Sequence, residues 1–195
     1  MQKLNLSTRY KSGTALEIIR DAVLAGDIFG EISQNDFADS LEISRIPVRE
    51  ALIALEYQGL LEKLPNQHVR IITLDDEAIR NTFADMSAVS LIVIQNLSDE
   101  NIRLLLWSEN PVKFHRTLYE NTPSPLRRVF LRIVTDTYIM FILEHSDASK
   151  ILPAFESMKH SLKNFAELRA NYSVYTDCLA DELIRIRTHK EDSQC

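Results

Sequence analysis

Ser44–Leu60, SRIPVREALIALEYQGL, is the stretch whose reading decides the fold. Ser44 suits a helix N-cap, because its hydroxyl can accept from an unpaired N–H of the first turn. Pro47 stands in that turn, where a missing N–H removes no intrahelical bond. Val48, Leu52 and Leu55 recur at steps of four and three, so they share one face of a helix from Arg45 to about Gln58, which Gly59 ends. Arg45 and Arg49 are four apart and share another face. Packing the apolar face inward presents both guanidiniums outward, at the N-terminal end of the helix.

Upstream, Ser33-Gln34-Asn35-Asp36 reads as a capping box that opens a short helix burying Phe37, Ala38 and Leu41. Glu42-Ile43 forms the turn before Ser44. An earlier helix, Thr14–Ala25, carries Leu16, Ile19 and Val23 on one face and stops at Gly26. Residues 1–13, with Lys3, Arg9 and Lys11, read as a flexible basic arm. Downstream, Leu60–Leu64 and Val69–Thr73 are β-like runs joined by Pro65-Asn66-Gln67-His68, a hairpin. Helix, short helix, turn, helix and hairpin is the order of a winged helix-turn-helix, here over residues 14–73. In such folds the N-terminus of the last helix enters the major groove of DNA.

From Asp75 onward the period is helical. Expected helices are Asp76–Gln95, Asp99–Trp107, Pro111–Glu120, Leu126–Glu144, Lys150–Ala170 and Val174–His189, which makes 75–195 an all-helical bundle. The fold class is therefore mainly α: three helices and a β-hairpin, then an all-α domain. Only 4 Gly and 6 Pro occur in 195 residues, which suits helix better than sheet.

Charge does not itself favour nucleic acid. The net charge is −6, and residues 1–73 hold 8 Lys plus Arg against 10 Asp plus Glu, so phosphate contacts must come from local placement. The two cysteines, Cys178 and Cys195, cannot build a disulfide framework and fit a reducing cytoplasm. Cys178 sits among apolar helical positions and reads as buried and inert. MQKLNLSTRYK lacks an apolar core for a signal peptide, and Leu91–Ile94 and Leu104–Trp107 are too short to span a bilayer. There is no Gly-rich phosphate loop, Gly-x-Ser-x-Gly elbow or His-Glu-x-x-His pair, so no reaction is indicated.

Phe37–Asn66, FADSLEISRIPVREALIALEYQGLLEKLPN, closely resembles the GntR family of transcription regulators, in particular its FadR-like branch. The core pattern SR-x-PVREAL-x-x-LE-x-x-GL is kept from Ser44 to Leu60. The resemblance implies a repressor that binds a palindromic DNA operator as a homodimer. It implies that Arg45 and Arg49 read bases, that Ser44 touches the backbone, and that the hairpin tip enters the minor groove. The resulting DNA-contact set is Asn35, Ser44, Arg45, Ile46, Arg49, Asn66, Gln67 and His68. An Arg that grips guanine in a bidentate fork contributes about 1–3 kcal/mol of discrimination. Four positions depart from the family pattern. Glu42 replaces the usual Gly of the turn, Asn35 replaces an Arg of the second helix, and Pro-Asn-Gln-His replaces Pro-Asn-Arg-Gly at the wing tip, removing the easiest residue for a positive φ. The wing either inserts Gln67 and His68 into the minor groove or touches only phosphate.

The helical remainder resembles, more weakly, the effector-binding and dimerising domain of that branch, often termed FCD. Its metal-bound carboxylate pocket begins at Asp-x-x-Phe-His, which here reads Pro111-Val112-Lys113-Phe114-His115. Proline offers no ligand oxygen. An Arg and a Glu of the domain's first helix are replaced by Met86 and Ser90. Of the later histidine slots, His160 falls opposite the inward stripe Phe155, Met158, Leu162 and Phe165, and the last falls near Glu182 or Leu183. No metal or other cofactor is expected, with Glu182 the one replacement ligand. The effector pocket reduces to Met86, Ser90 and His115, suited to a less polar effector or to none. The bland role for His115 is a core histidine bonded to backbone. Leu91, Ile92, Val93, Leu104, Leu105 and Trp107 read as core or dimer interface. The alternatives are a regulator working through protein contacts, and a helical metal-dependent enzyme using His115, His160 and nearby carboxylates.

Overall fold

The computed structural model describes Leu6 and residues 13–191. The chain falls into two compact units that divide between Leu74 and Asp75, the second running Asp75–Thr188. Cys195 and the basic residues Lys3, Arg9 and Lys11 of the expected arm lie outside the described residues. Leu6, within that arm, is buried, and its N–H donates to Ser40 Oγ at 2.9 Å.

In the first unit α1 (Ala15–Leu24) begins with a full capping box. The Glu17 N–H donates to Thr14 Oγ1, and the Thr14 N–H donates to Glu17 Oε2 at 2.7 Å. The helix buries Ile19, Ala22, Val23 and Leu24 and packs against α3 (Arg45–Tyr57). Between them lies α2 (Gln34–Leu41), opened by the expected Ser33–Asp36 box. Its C-cap is Glu42 in the left-handed region, φ 56° and ψ 35°, with the Glu42 N–H donating to the Ala38 and Asp39 carbonyls. The chain needs this conformation to turn α2 into α3 over two residues, and it adopts it without glycine.

Three strands complete the unit: β1 (Glu31–Ser33), β2 (Leu61–Lys63) and β3 (His68–Ile71), all antiparallel in the order β1-β3-β2. The hairpin was expected, but β1 was not. Three residues show too little alternation to be read as a strand, and β1 forms because β3 offers an edge on which Ile32 pairs with Val69. Ile32, Leu61, Val69 and Ile71 turn inward to the core.

The second unit contains α4 (Asp76–Ile94), α5 (Asp99–Leu106), α6 (Pro111–Glu120) and α7 (Pro125–Ile133), each started by an Asp, Ser or Asn cap: Asp75, Ser98, Asn110 and Ser124. A π-helical stretch, Val134–Ile139, links α7 to α8 (Met140–His145), so the expected helix continues with one widened segment. Then come α9 (Leu152–His160) and α10 (Phe165–Glu191).

One expected break moved. Lys150–Ala170 is not one helix: Ser161–Lys163 tightens to a 3-10 turn and Asn164 is extended. The Asn164 side chain accepts from the Glu167 N–H at 3.5 Å, the role of an N-cap. Phe165, expected inward, is therefore 40% exposed. Conversely, the chain runs helical through Asn171–Ser173, where Tyr172, like Tyr175 just beyond, is fully buried. Cys178, expected buried, is partly exposed. Val93 and Leu105 are core residues as expected, whereas Ile92, Leu104 and Trp107 reach the surface. No helix among the described residues is long and apolar enough to cross a membrane.

Candidate functional site

Burial of Val48, Ala51, Leu52 and Leu55 fixes the rotation of α3 about its axis. Arg45, Ile46 and Arg49 are consequently exposed on its first turns, Ile46 at 71%. Neither arginine forms an ion pair with a described residue, so both forks are available to a ligand. Ser44 has the extended backbone of an N-cap, but its hydroxyl makes no capping bond, so the cap expected there is one of backbone geometry only. Its hydroxyl is also available.

The hairpin closes with the Leu64 N–H donating to the His68 carbonyl at 2.9 Å. At the tip, Asn66 and Gln67 both have positive φ, 60° and 62°. The tip thus holds a left-handed turn without glycine: two polar residues adopt it. His68 Nδ1 lies 3.0 Å from the Asn66 carbonyl, which ties the ring to the tip. Asn66 and Gln67 are exposed, and His68 is half-buried.

The start of α2 and the wing tip surround a common hollow of about 420 Å³ lined by Asn35, Asn66, Gln67 and His68. Residues from two distant stretches thus meet. Glu31 and Asp36 also line it, and sequence reading had not placed them there. Arg70, on the strand leaving the tip, is held by Glu31 at 2.7 Å and Glu62 at 3.7 Å.

Within the helical unit Met86, Ser90 and His115 are all buried. His115 Nε2 lies 3.2 Å from the Tyr175 hydroxyl, a side-chain partner rather than the expected backbone one. Burial alone pushes the His115 pKa down to about 3, so the ring is neutral. Its Nδ1, the Ser90 Oγ and the Tyr172 hydroxyl are buried without a hydrogen-bond partner among the described residues. Burial raises the Tyr172 phenol above its ordinary pKa; nearby Ser90 pulls the other way without forming a well-aligned bond. Tyr172 and Tyr175 were not identified from sequence. Their spacing of three on one helix was the available signal, hidden by the break read at Asn171–Ser173.

The donor set does not fit a bound metal. Pro111 is the first residue of α6 and has no ligand atom in its side chain, His160 is exposed with Nδ1 2.7 Å from the Glu156 carbonyl, and Glu182 is occupied by Lys150 at 3.4 Å and Arg185 at 2.7 Å. Burial opposes ionisation of Glu182, but the hydrogen bonds and charges of Arg185 and Lys150 outweigh it and hold the carboxyl below its usual range. His115, His160 and Glu182 do not converge.

No protein-family model and no curated protein matches the chain. Solved structures do. One is a Listeria monocytogenes protein, Lar, described as controlling expression of the agr system and mediating virulence. It superposes with a TM-score of 0.55 at 12% identity, over 88% of this chain and 95% of that one. The likeness is one of fold. This winged helix with its helical unit also aligns with a GntR-family transcriptional regulator from Pseudomonas syringae pv. tomato, with a TM-score of 0.45 at 16% identity over 99% and 96% of the two chains. Escherichia coli McbR/YncC aligns with a TM-score of 0.46 at 15% identity over the full length of both.

Proposed function

We propose that the chain is a sequence-specific DNA-binding regulator of transcription, of the GntR type and FadR-like in layout. It acts in the cytoplasm as a homodimer on a palindromic operator, by repression. The observation that carries this reading is the pair of guanidiniums of Arg45 and Arg49, exposed on the first turns of α3 and in no ion pair with a described residue. Arg in that position can grip guanine O6 and N7 in the major groove. Ser44 at the helix start suits a phosphate, where the free N–H groups and helix dipole favour an anion. The hollow shared by Asn35, Asn66, Gln67 and His68 brings a second polar contact surface beside the wing, and minor-groove insertion of Gln67 and His68 is its proposed use.

The net charge of −6 limits how much affinity can come from non-specific phosphate attraction. Binding should therefore depend strongly on sequence. Selection of genomic fragments on the purified chain, followed by anisotropy titration of one recovered fragment against a scrambled duplex, tests this. A palindromic consensus bound at least about a thousandfold more tightly than the scrambled duplex supports the reading. Equal affinity for both duplexes overturns it.

The helical unit has a second role in this reading, as a receptor for an uncharged small molecule at Met86, Ser90 and His115. Neutral His115 and the unpartnered Ser90, His115 and Tyr172 atoms favour a ligand that offers hydrogen bonds but no charge. A ligand screen scored by release of the recovered DNA fragment tests it. A releasing compound whose effect is abolished by Ser90→Ala supports the assignment; release unchanged by that variant contradicts it.

A further inference from the structure

In the helical unit α4 and α10 flank an open groove of about 750 Å³. Its lining includes small exposed residues, Ala88 on α4 and Ala166, Ala170 and Ser173 on α10, with Ile92 at 41% and Phe165 at 40% exposure adding apolar surface. Helices can approach closely where side chains are this short.

The charges on the same face have a pattern. Arg169 and Asp177 are both exposed and both line the groove, and neither is in an ion pair with a described residue. They lie eight residues apart on one continuous helix, about 12 Å along its axis. Ser173 stands halfway between them. A second α10 laid antiparallel across Ser173 on a two-fold axis would set Arg169 against the partner's Asp177, and Asp177 against the partner's Arg169. A two-fold interface requires this kind of self-complementarity, in which one patch meets its own copy.

We infer that the α4–α10 groove is the surface by which two copies of this chain associate, with the two α10 helices antiparallel and crossing at Ser173. Two opposite charges and a small residue at their midpoint fit a second copy better than a peptide or small ligand, neither of which requires the symmetry. The inference rests on the homodimer reading and deepens it by naming the surface.

Sedimentation equilibrium of the full chain tests it with three variants. Arg169→Asp and Asp177→Arg each turn two attractive pairs into two repulsive ones, and each should dissociate at least about tenfold more readily than the wild type. An equimolar mixture of these two variants should recover the dimer, because every acidic group then faces a guanidinium. Ser173→Trp should give a monomer on its own, since two indoles would meet at the axis. All three positions are exposed, so circular dichroism should be unchanged. Single variants that dimerise like the wild type, a mixture that stays monomeric, or an unaffected Ser173→Trp would each overturn the interface while leaving the dimer reading intact. A wild-type chain that is itself monomeric would remove the dimer reading as well.

Discussion

His115 and Tyr175 lie side by side at the centre of the helical unit, with Nε2 3.2 Å from the phenol oxygen and the ring planes only 14° apart. Both are fully enclosed, and the imidazole is held neutral with its pKa near 3, against about 6.5 in an unfolded chain. Between those values the unfolded chain takes up a proton that the folded one refuses. The stability owed to neutral His115 is thus fully present above about pH 6.5 and is lost as pH falls from there toward 3, at up to about 1.4 kcal/mol per pH unit. Urea unfolding at pH 7, 6 and 5 should show a steeper decline for the wild type than for His115→Gln. Parallel declines would mean that the imidazole is solvated.

Glu42 holds a left-handed conformation, φ 56°, that most L-residues avoid by about 1–2 kcal/mol. Glu42→Gly should relieve that strain, offset in part by the greater freedom of glycine in the unfolded chain. A net gain of about 0.5–1 kcal/mol is expected by chemical unfolding. A loss of stability would show that the Glu42 side chain makes a contact outweighing the strain.

Glu182 joins Lys150 on the turn before α9 to Arg185 on its own helix. Its carboxylate is almost covered, but both cations are partly solvated, so the network should contribute modestly. Glu182→Gln should cost about 1 kcal/mol at pH 7. Because the carboxyl pKa is lowered, this difference should be present above the ordinary carboxylate range and fade as pH falls through the lowered value. Thermal unfolding at pH 7 and pH 3.5 compares the two. A cost that is the same at both values would remove charge from the explanation.

At the wing, Asn66 and Gln67 form a left-handed tip without glycine, and His68 is bonded back to it. If the tip enters the minor groove, Gln67→Ala combined with His68→Ala should weaken binding to the recovered operator about tenfold and relax preference at the base pairs beneath the wing. Asn66→Gly should leave affinity within about twofold, since glycine tolerates the same backbone. Anisotropy titrations against a panel of substituted operators would measure both. Unchanged affinity and preference in the double variant would make the wing a bystander.

Much of this was legible in the sequence where one periodic face met one set of caps. Val48, Leu52 and Leu55 fixed which way Arg45 and Arg49 point, and Ser33 with Asp36 fixed where α2 begins. β1 was hidden, because three residues become a strand only when β3 supplies an edge. The break at Asn164 was hidden too, since Asn suits both a helix surface and an N-cap, and only packing decides. His115 was correctly read as inward, but its partner Tyr175 lies sixty residues further along the chain, beyond any local pattern. The hollow that joins Asn35 to the wing depends on sheet pairing between segments far apart in sequence.

The central claim is that Arg45 and Arg49 read base pairs. Its most direct measurement is the affinity of wild type, Arg45→Ala, Arg49→Ala and the double variant for the recovered operator and for duplexes in which each guanine under α3 is replaced in turn. Each single variant should lose about 1–3 kcal/mol on the native operator and lose its preference for guanine at one position, with folding unchanged because both side chains are exposed. Variants that bind as tightly as the wild type, or that weaken on every duplex equally, would contradict it.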